Sequence, residues 1–104
     1  MLKKEIRDGA LEFVSFDPLP VHDSTWGLCT GVDGNIYLAA CGEHIGGLTV
    51  FLLRYIPETR KLEYLIEVGP HIGELPEHGR ASQSKIHYCL LPGSDGLLYC
   101  ATHA

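Results

Sequence analysis

Asp33-Gly34-Asn35-Ile36-Tyr37, preceded by Thr25-Trp26-Gly27-Leu28-Cys29, returns near the end of the chain as Asp95-Gly96-Leu97-Leu98-Tyr99, preceded by Lys85-Ile86-His87-Tyr88-Cys89. Each copy is a short apolar run, a turn built on Asp-Gly and a second apolar run, which is the sequence form of an antiparallel hairpin. Hairpins about 60 residues apart, with two further strand-like runs between them, predict an array of small antiparallel sheets, or blades.

Ala10 to Phe16 alternates apolar and polar residues and stops at Asp17-Pro18, so it reads as a strand. Trp26 to Val32 and Asn35 to Cys41 form the first hairpin. Leu48 to Ile56 is strongly apolar and closes at Pro57-Glu58-Thr59-Arg60, a turn with proline at its second position. Lys61 to Val68 answers it, with Leu62, Tyr64 and Ile66 on one face. Ile86 to Leu91 and Leu97 to Thr102 make the second hairpin. Gly69 to Ser84 holds Pro70, Gly73, Pro76 and Gly79, which rules out a stable helix, and connections this long tend to be functional or mobile.

The chain of 104 residues, 45% hydrophobic, suits one modest core. A net charge of -5 argues against nonspecific binding to nucleic acid or an anionic membrane. No apolar run approaches the roughly 20 residues of a membrane-spanning helix. The start, Met1 to Arg7, lacks the apolar stretch of a secretory signal, and a cytoplasmic location is expected. The four cysteines, with Cys29 and Cys89 at equivalent hairpin positions, form no C-x-x-C pair, so buried thiols in a reducing compartment are expected instead of structural zinc.

The Asp-Gly-x-(Ile or Leu)-Tyr hairpins, Asp33 to Tyr37 and Asp95 to Tyr99, resemble those of β-propellers of the gluconolactonase, quinoprotein and propeller polysaccharide-lyase kinds. The resemblance implies an all-β protein of antiparallel β-propeller blades. Residues 24–69 would be one complete four-stranded blade, residues 10–16 the last strand of a preceding blade, and residues 85–104 half of the next. Propellers close with about four to eight blades, so this reading makes the chain a segment of a longer protein, or one of several copies that complete a ring.

On that map the loops before the first strand and between the second and third share one face. All six histidines (His22, His44, His71, His78, His87 and His103) fall on or beside it, and the opposite turns hold none. Imidazole titrates near neutrality and binds metals, so such a rim could transfer protons or hold a divalent ion; no cofactor is otherwise called for. By resemblance to propeller lyases, which cleave uronate chains by β-elimination, Arg80 would neutralise the uronate carboxylate. His87 or His103 would take the C5 proton and Tyr88 would protonate the leaving oxygen, although strand alternation aims Tyr88 away from His87. His22, Glu43, His44 and Lys85 would contact the substrate. Each residue also has a plainer reading: His71 and His78 as solvated loop residues, His22 as a structural hydrogen bonder, His87 and His103 as satisfied core histidines, Arg80 as surface charge. Trp26 reads as core filler, and Tyr37 and Tyr99 as structural. Three functions therefore stand open: an enzyme acting on a carbohydrate or small polar substrate, a binding platform without chemistry, and a segment with no site of its own.

Overall fold

The computed structural model describes residues 3–6, 11–14, 22–42, 49–74, 83–87 and 90–102, the first two segments as backbone only. Strands β1 (Lys3–Ile6) and β2 (Leu11–Val14) pair antiparallel. Strands β3 (Ser24–Thr30), β4 (Ile36–Cys41), β5 (Val50–Ile56) and β6 (Lys61–Glu67) follow as a four-stranded antiparallel meander, each pairing with its sequence neighbour. A one-turn helix, α1 (Val68–His71), comes next, and β7 (Leu90–Pro92) and β8 (Leu98–Cys100) form a final hairpin. The expected all-β character is present, and the four-stranded sheet expected within residues 24–69 runs from Ser24 to Glu67.

Several expectations require correction. The strand expected from Ala10 to Phe16 spans Leu11–Val14 and pairs with β1, which the charged run Lys3-Lys4-Glu5-Ile6 did not signal. The segment expected to exclude helix opens with α1, and Val68, assigned to the strand, belongs to that helix. Its two apparent breakers sit in the first turn, where backbone N–H groups have no intrahelical partner. Pro70 therefore forfeits nothing there, and the Gly69 amide donates to Thr49 Oγ1 at 2.8 Å. The helix ends at once because Gly73 turns to φ 76. Of the strand expected from Ile86 to Leu91, Ile86 and His87 are not in a strand, β7 runs Leu90–Pro92, and an isolated bridge stands at Lys85.

The equivalence of Cys29 and Cys89 is also overturned by register. Cys29 faces Tyr37 across the first hairpin, and it is Leu91 that faces Tyr99 across the second. Aligning the turns likewise matches Leu28 opposite Leu38 with Leu90 opposite Cys100. Nor are the thiols uniformly buried: Cys41 is, Cys29 is half-buried and Cys100 is exposed.

The meander carries a core on each face. Ala39, Cys41, Val50 and Val68 pack with Ile86 and Leu90 on one side, while Leu38, Ala40, Phe51 and Leu53 cluster on the other. This two-sided burial explains the unbroken apolar runs of β4 and β5. Gly27 lets the second hairpin's approach segment lie close. A side chain there would begin 3.1 Å from the His87 carbonyl oxygen and 3.1 Å from Ile86 Cγ2.

Candidate functional site

At one end of the sheet the first Asp-Gly turn shares its backbone and Asp–Tyr hydrogen bonds with the second. Gly31 N–H donates to the Asn35 carbonyl at 2.8 Å and Gly34 N–H to the Gly31 carbonyl at 3.0 Å; the counterparts are Gly93 to Leu97 at 2.8 Å and Gly96 to Gly93 at 3.1 Å. Gly34 and Gly96 adopt φ 81 and 84, the left-handed region that glycine enters freely. Val32-Asp33 and Ser94-Asp95 thus occupy the turn centres, and each glycine of Asp-Gly supplies the residue after them. Asp33 Oδ1 accepts from Asn35 N–H and Asp95 Oδ1 from Leu97 N–H, both at 3.0 Å. The Tyr37 hydroxyl donates to Asp33 Oδ2 at 2.6 Å and that of Tyr99 to Asp95 Oδ2 at 2.5 Å.

These tyrosine bonds are the main cause holding both carboxyls below their ordinary range, and they push both phenols up. Arg54, opposite Tyr37 in register, pairs with Glu63 at 2.7 Å. The two turns enclose a cleft lined by Val32, Asp33, Tyr37, Pro92 and Leu97 among others. Its polar groups bind one another, so the cleft reads as a structural seam. That agrees with the structural part expected of Tyr37 and Tyr99.

The other end gathers the connections. Asp23 N–H donates to the Cys41 carbonyl at 2.9 Å, and the Gly69–Thr49 bond ties the start of α1 to the approach of β5. Glu74 Oε2 accepts from the Gln83 amide at 2.8 Å, and the Thr102 hydroxyl donates to Gln83 Oε1 at 2.7 Å. Gln83 therefore fastens the long connection to the exit from β8, which fixes the path of Ser84 to His87. There β3 carries a bulge: Thr25 pairs with Ala40 and Gly27 with Ala39, leaving Trp26 as the extra residue. A bulge re-aims the side chain it carries. The Trp26 indole stands 5.5 Å, centroid to centroid, from the His87 imidazole, tilted by 52°. It remains 42% exposed, so Trp26 is not the core filler its sequence position suggested. His87 is half-buried, with Nε2 shut off from solvent.

The chain matches no protein-family model, no curated protein and no solved structure.

Among the expected catalytic residues, His87 takes its place beside Trp26, while Arg80, Tyr88 and His103 lie outside the described residues. Among the expected substrate contacts, His22 is half-buried just before β3 and Lys85 is half-buried two residues before His87; Glu43 and His44 lie outside the described residues. His71 closes α1 and is exposed, as expected of a solvated residue, and His78 lies outside the described residues. Among the described residues no group of three or more His, Cys, Asp or Glu side chains is placed to hold a metal ion, and no helix is long and apolar enough to cross a membrane.

Sequence reasoning missed two features of these ends. Gly-x-Asp-Gly was visible twice, at Gly31 to Gly34 and Gly93 to Gly96, but the first glycine was not singled out. The Trp26–His87 contact depends on a bulge, and no residue pattern in β3 announces one.

Proposed function

We propose that the chain is a segment of antiparallel β-propeller blades whose Trp26–His87 end binds a carbohydrate or other small polar ligand, as a platform and without chemistry. The observation that carries this is the half-exposed indole that the β3 bulge holds beside His87. An indole offers a flat apolar face and a polar edge, so it suits a ligand that presents both C–H and hydroxyl surfaces. Lys85, His22 and the Glu74–Gln83–Thr102 chain add polar groups to the connections around it. The meander with a core on each face supports the blade reading, and the matched Asp-Gly turns support a second blade beginning at residue 85. Further blades, from more of the same protein or from other subunits, would complete the ring. The histidine-rich end gains support from His22 before β3 and His71 after β6, since Ser24 pairs with Cys41 and Phe51 with Glu67 at that end of the sheet. Cys29, Cys41 and Cys100 as thiols suit the cytoplasm.

The lyase reading asks His87 to take a proton from a substrate. An imidazole nitrogen closed to solvent and a ring packed on Trp26 favour the platform instead. The test uses the single tryptophan as reporter. Titration with a neutral glucan and with polygalacturonate should give a saturable change in Trp26 fluorescence for at least one, and His87→Ala should weaken it. No response to either sinks the platform. Ultraviolet absorbance of unsaturated uronate ends, appearing with polygalacturonate, would establish the lyase in its place.

A further inference from the structure

At the end of the sheet that carries the connections, hydrogen bonds run in series from the approach of β5 to the exit of β8. The Gly69 backbone N–H donates to Thr49 Oγ1 at 2.8 Å and that of Glu74 to the Gly69 carbonyl at 2.9 Å. The Gln83 backbone N–H then donates to Glu74 Oε2 at 2.8 Å, and the Thr102 hydroxyl to Gln83 Oε1 at 2.7 Å. Gln83 is where this series meets the segment leading to His87. Its main chain is held from the α1 side and its side chain from the β8 side, and both bonds are part-buried.

Further along the segment, Ile86 is fully buried in the cluster of Ala39, Cys41, Val50, Val68 and Leu90, with Cγ2 close to Gly27. Apolar burial is non-directional, so it sets how deeply the segment lies on β3 and leaves its swing about that point open. Hydrogen bonds accept only a narrow range of angles, and the pair at Gln83 supplies the missing direction. We infer that Gln83 is a positioning residue: clasped between Glu74 and Thr102, it aims the His87 ring at Trp26, at the 5.5 Å and 52° observed. That the aimed pair holds a ligand rests on the platform reading above; the aiming itself does not. With the clasp released, Ile86 still anchors the segment, but a ligand has to order the His87 ring as it binds, which weakens binding.

The test compares Thr102→Val, which keeps the shape of the side chain and removes its donor, with Thr102→Ser, which keeps the donor. In the folded chain without ligand, nuclear Overhauser cross-peaks between the Trp26 indole and His87 ring protons should weaken in Thr102→Val and return in Thr102→Ser. The cross-peak between the Ile86 γ2 methyl and Gly27 should persist in both. Gln83→Leu should reproduce Thr102→Val, and the double variant should be no worse than either. For whichever of the neutral glucan and polygalacturonate the parent binds, Thr102→Val should raise Kd by about two- to tenfold, the effect of one hydrogen bond, and Thr102→Ser should restore it. Circular dichroism checks folding; should Thr102→Val unfold the chain, Gln83→Leu against Gln83→Glu, which keeps the acceptor, gives the same comparison. Ring cross-peaks unchanged in folded Thr102→Val overturn the inference, and so does an equal loss in Thr102→Ser, which reduces the contact to packing. Weakened ring cross-peaks with an unchanged Kd, or a parent that binds neither polysaccharide, sink the platform and leave the role of Gln83 to be decided by the cross-peaks.

Discussion

Replacing Ile86 by alanine tests whether the segment before β7 is locked onto the sheet. Ile86 is 0% exposed and belongs to the cluster of Ala39, Cys41, Val50, Val68 and Leu90. Its truncation removes about three carbon atoms from an apolar site, a transfer loss of about 2.4 kcal/mol at roughly 0.8 kcal/mol each. The cavity left against β3 and β4 raises the expected cost to about 3–4 kcal/mol. A domain of this size is stable by about 5–15 kcal/mol, so much of the margin goes. Ile86→Val should cost about 1 kcal/mol, and Ile72→Ala, at a position 54% exposed, should stay within about 0.5 kcal/mol. The assay is urea unfolding followed by far-ultraviolet circular dichroism, at a concentration where the midpoint no longer depends on protein concentration, with the slope checked for constancy. If Ile86→Ala unfolds within about 1 kcal/mol of the parent at unchanged slope, Ile86 is not packed as described.

The turns supply further expectations. In Gly31→Ala the new methyl would lie 2.6 Å from Tyr37 Cε2, and in Gly93→Ala 2.7 Å from Tyr99 Cε2, so each should destabilise by about 1–3 kcal/mol; if Tyr37→Ala does not reduce the Gly31→Ala penalty, the clash is misassigned. Asp33 and Asp95 have folded pKa values below the unfolded 3.8, so their contribution is complete above that pH and disappears as pH falls through the folded values. Tyr37 and Tyr99 are raised above 10.0, so theirs is complete below that pH and declines as pH rises beyond it. Stability measured against pH should therefore flatten at both extremes in the Tyr37→Phe, Tyr99→Phe double variant, and profiles identical to the parent's would contradict the assignment. Arg60 holds φ 60 in the β5–β6 turn, a conformation that disfavours side chains, so Arg60→Gly should raise the urea midpoint by the equivalent of about 0.5–1 kcal/mol; a lower midpoint counts against that account.

The sheet was legible in the sequence because its signals are local. Alternation, the apolar runs of β4 and β5, and the Asp-Gly and Pro57 turns each report on a few neighbouring residues, and together they point to a four-stranded meander within residues 24–69. What stayed hidden depends on distant partners. Gly69 and Pro70 sit in a helical turn because Thr49 satisfies the Gly69 amide. β1 is charged, so only its pairing with β2 reveals it. The register of the second hairpin was misplaced because two Cys residues drew the alignment, whereas the turn hydrogen bonds set it at Leu91. For the site, the sequence selected His87 but not its neighbour: the indole reaches it through a bulge.

The stacking of the second hairpin's approach on β3 is what fixes His87 beside Trp26. A nuclear Overhauser spectrum reads it directly, through the Ile86 γ2 methyl protons and the Gly27 α protons. The close approach of Ile86 Cγ2 to Gly27 predicts a strong cross-peak between them. A spectrum of the folded chain with both resonances assigned and no such cross-peak would contradict the stack, and with it the placement of His87.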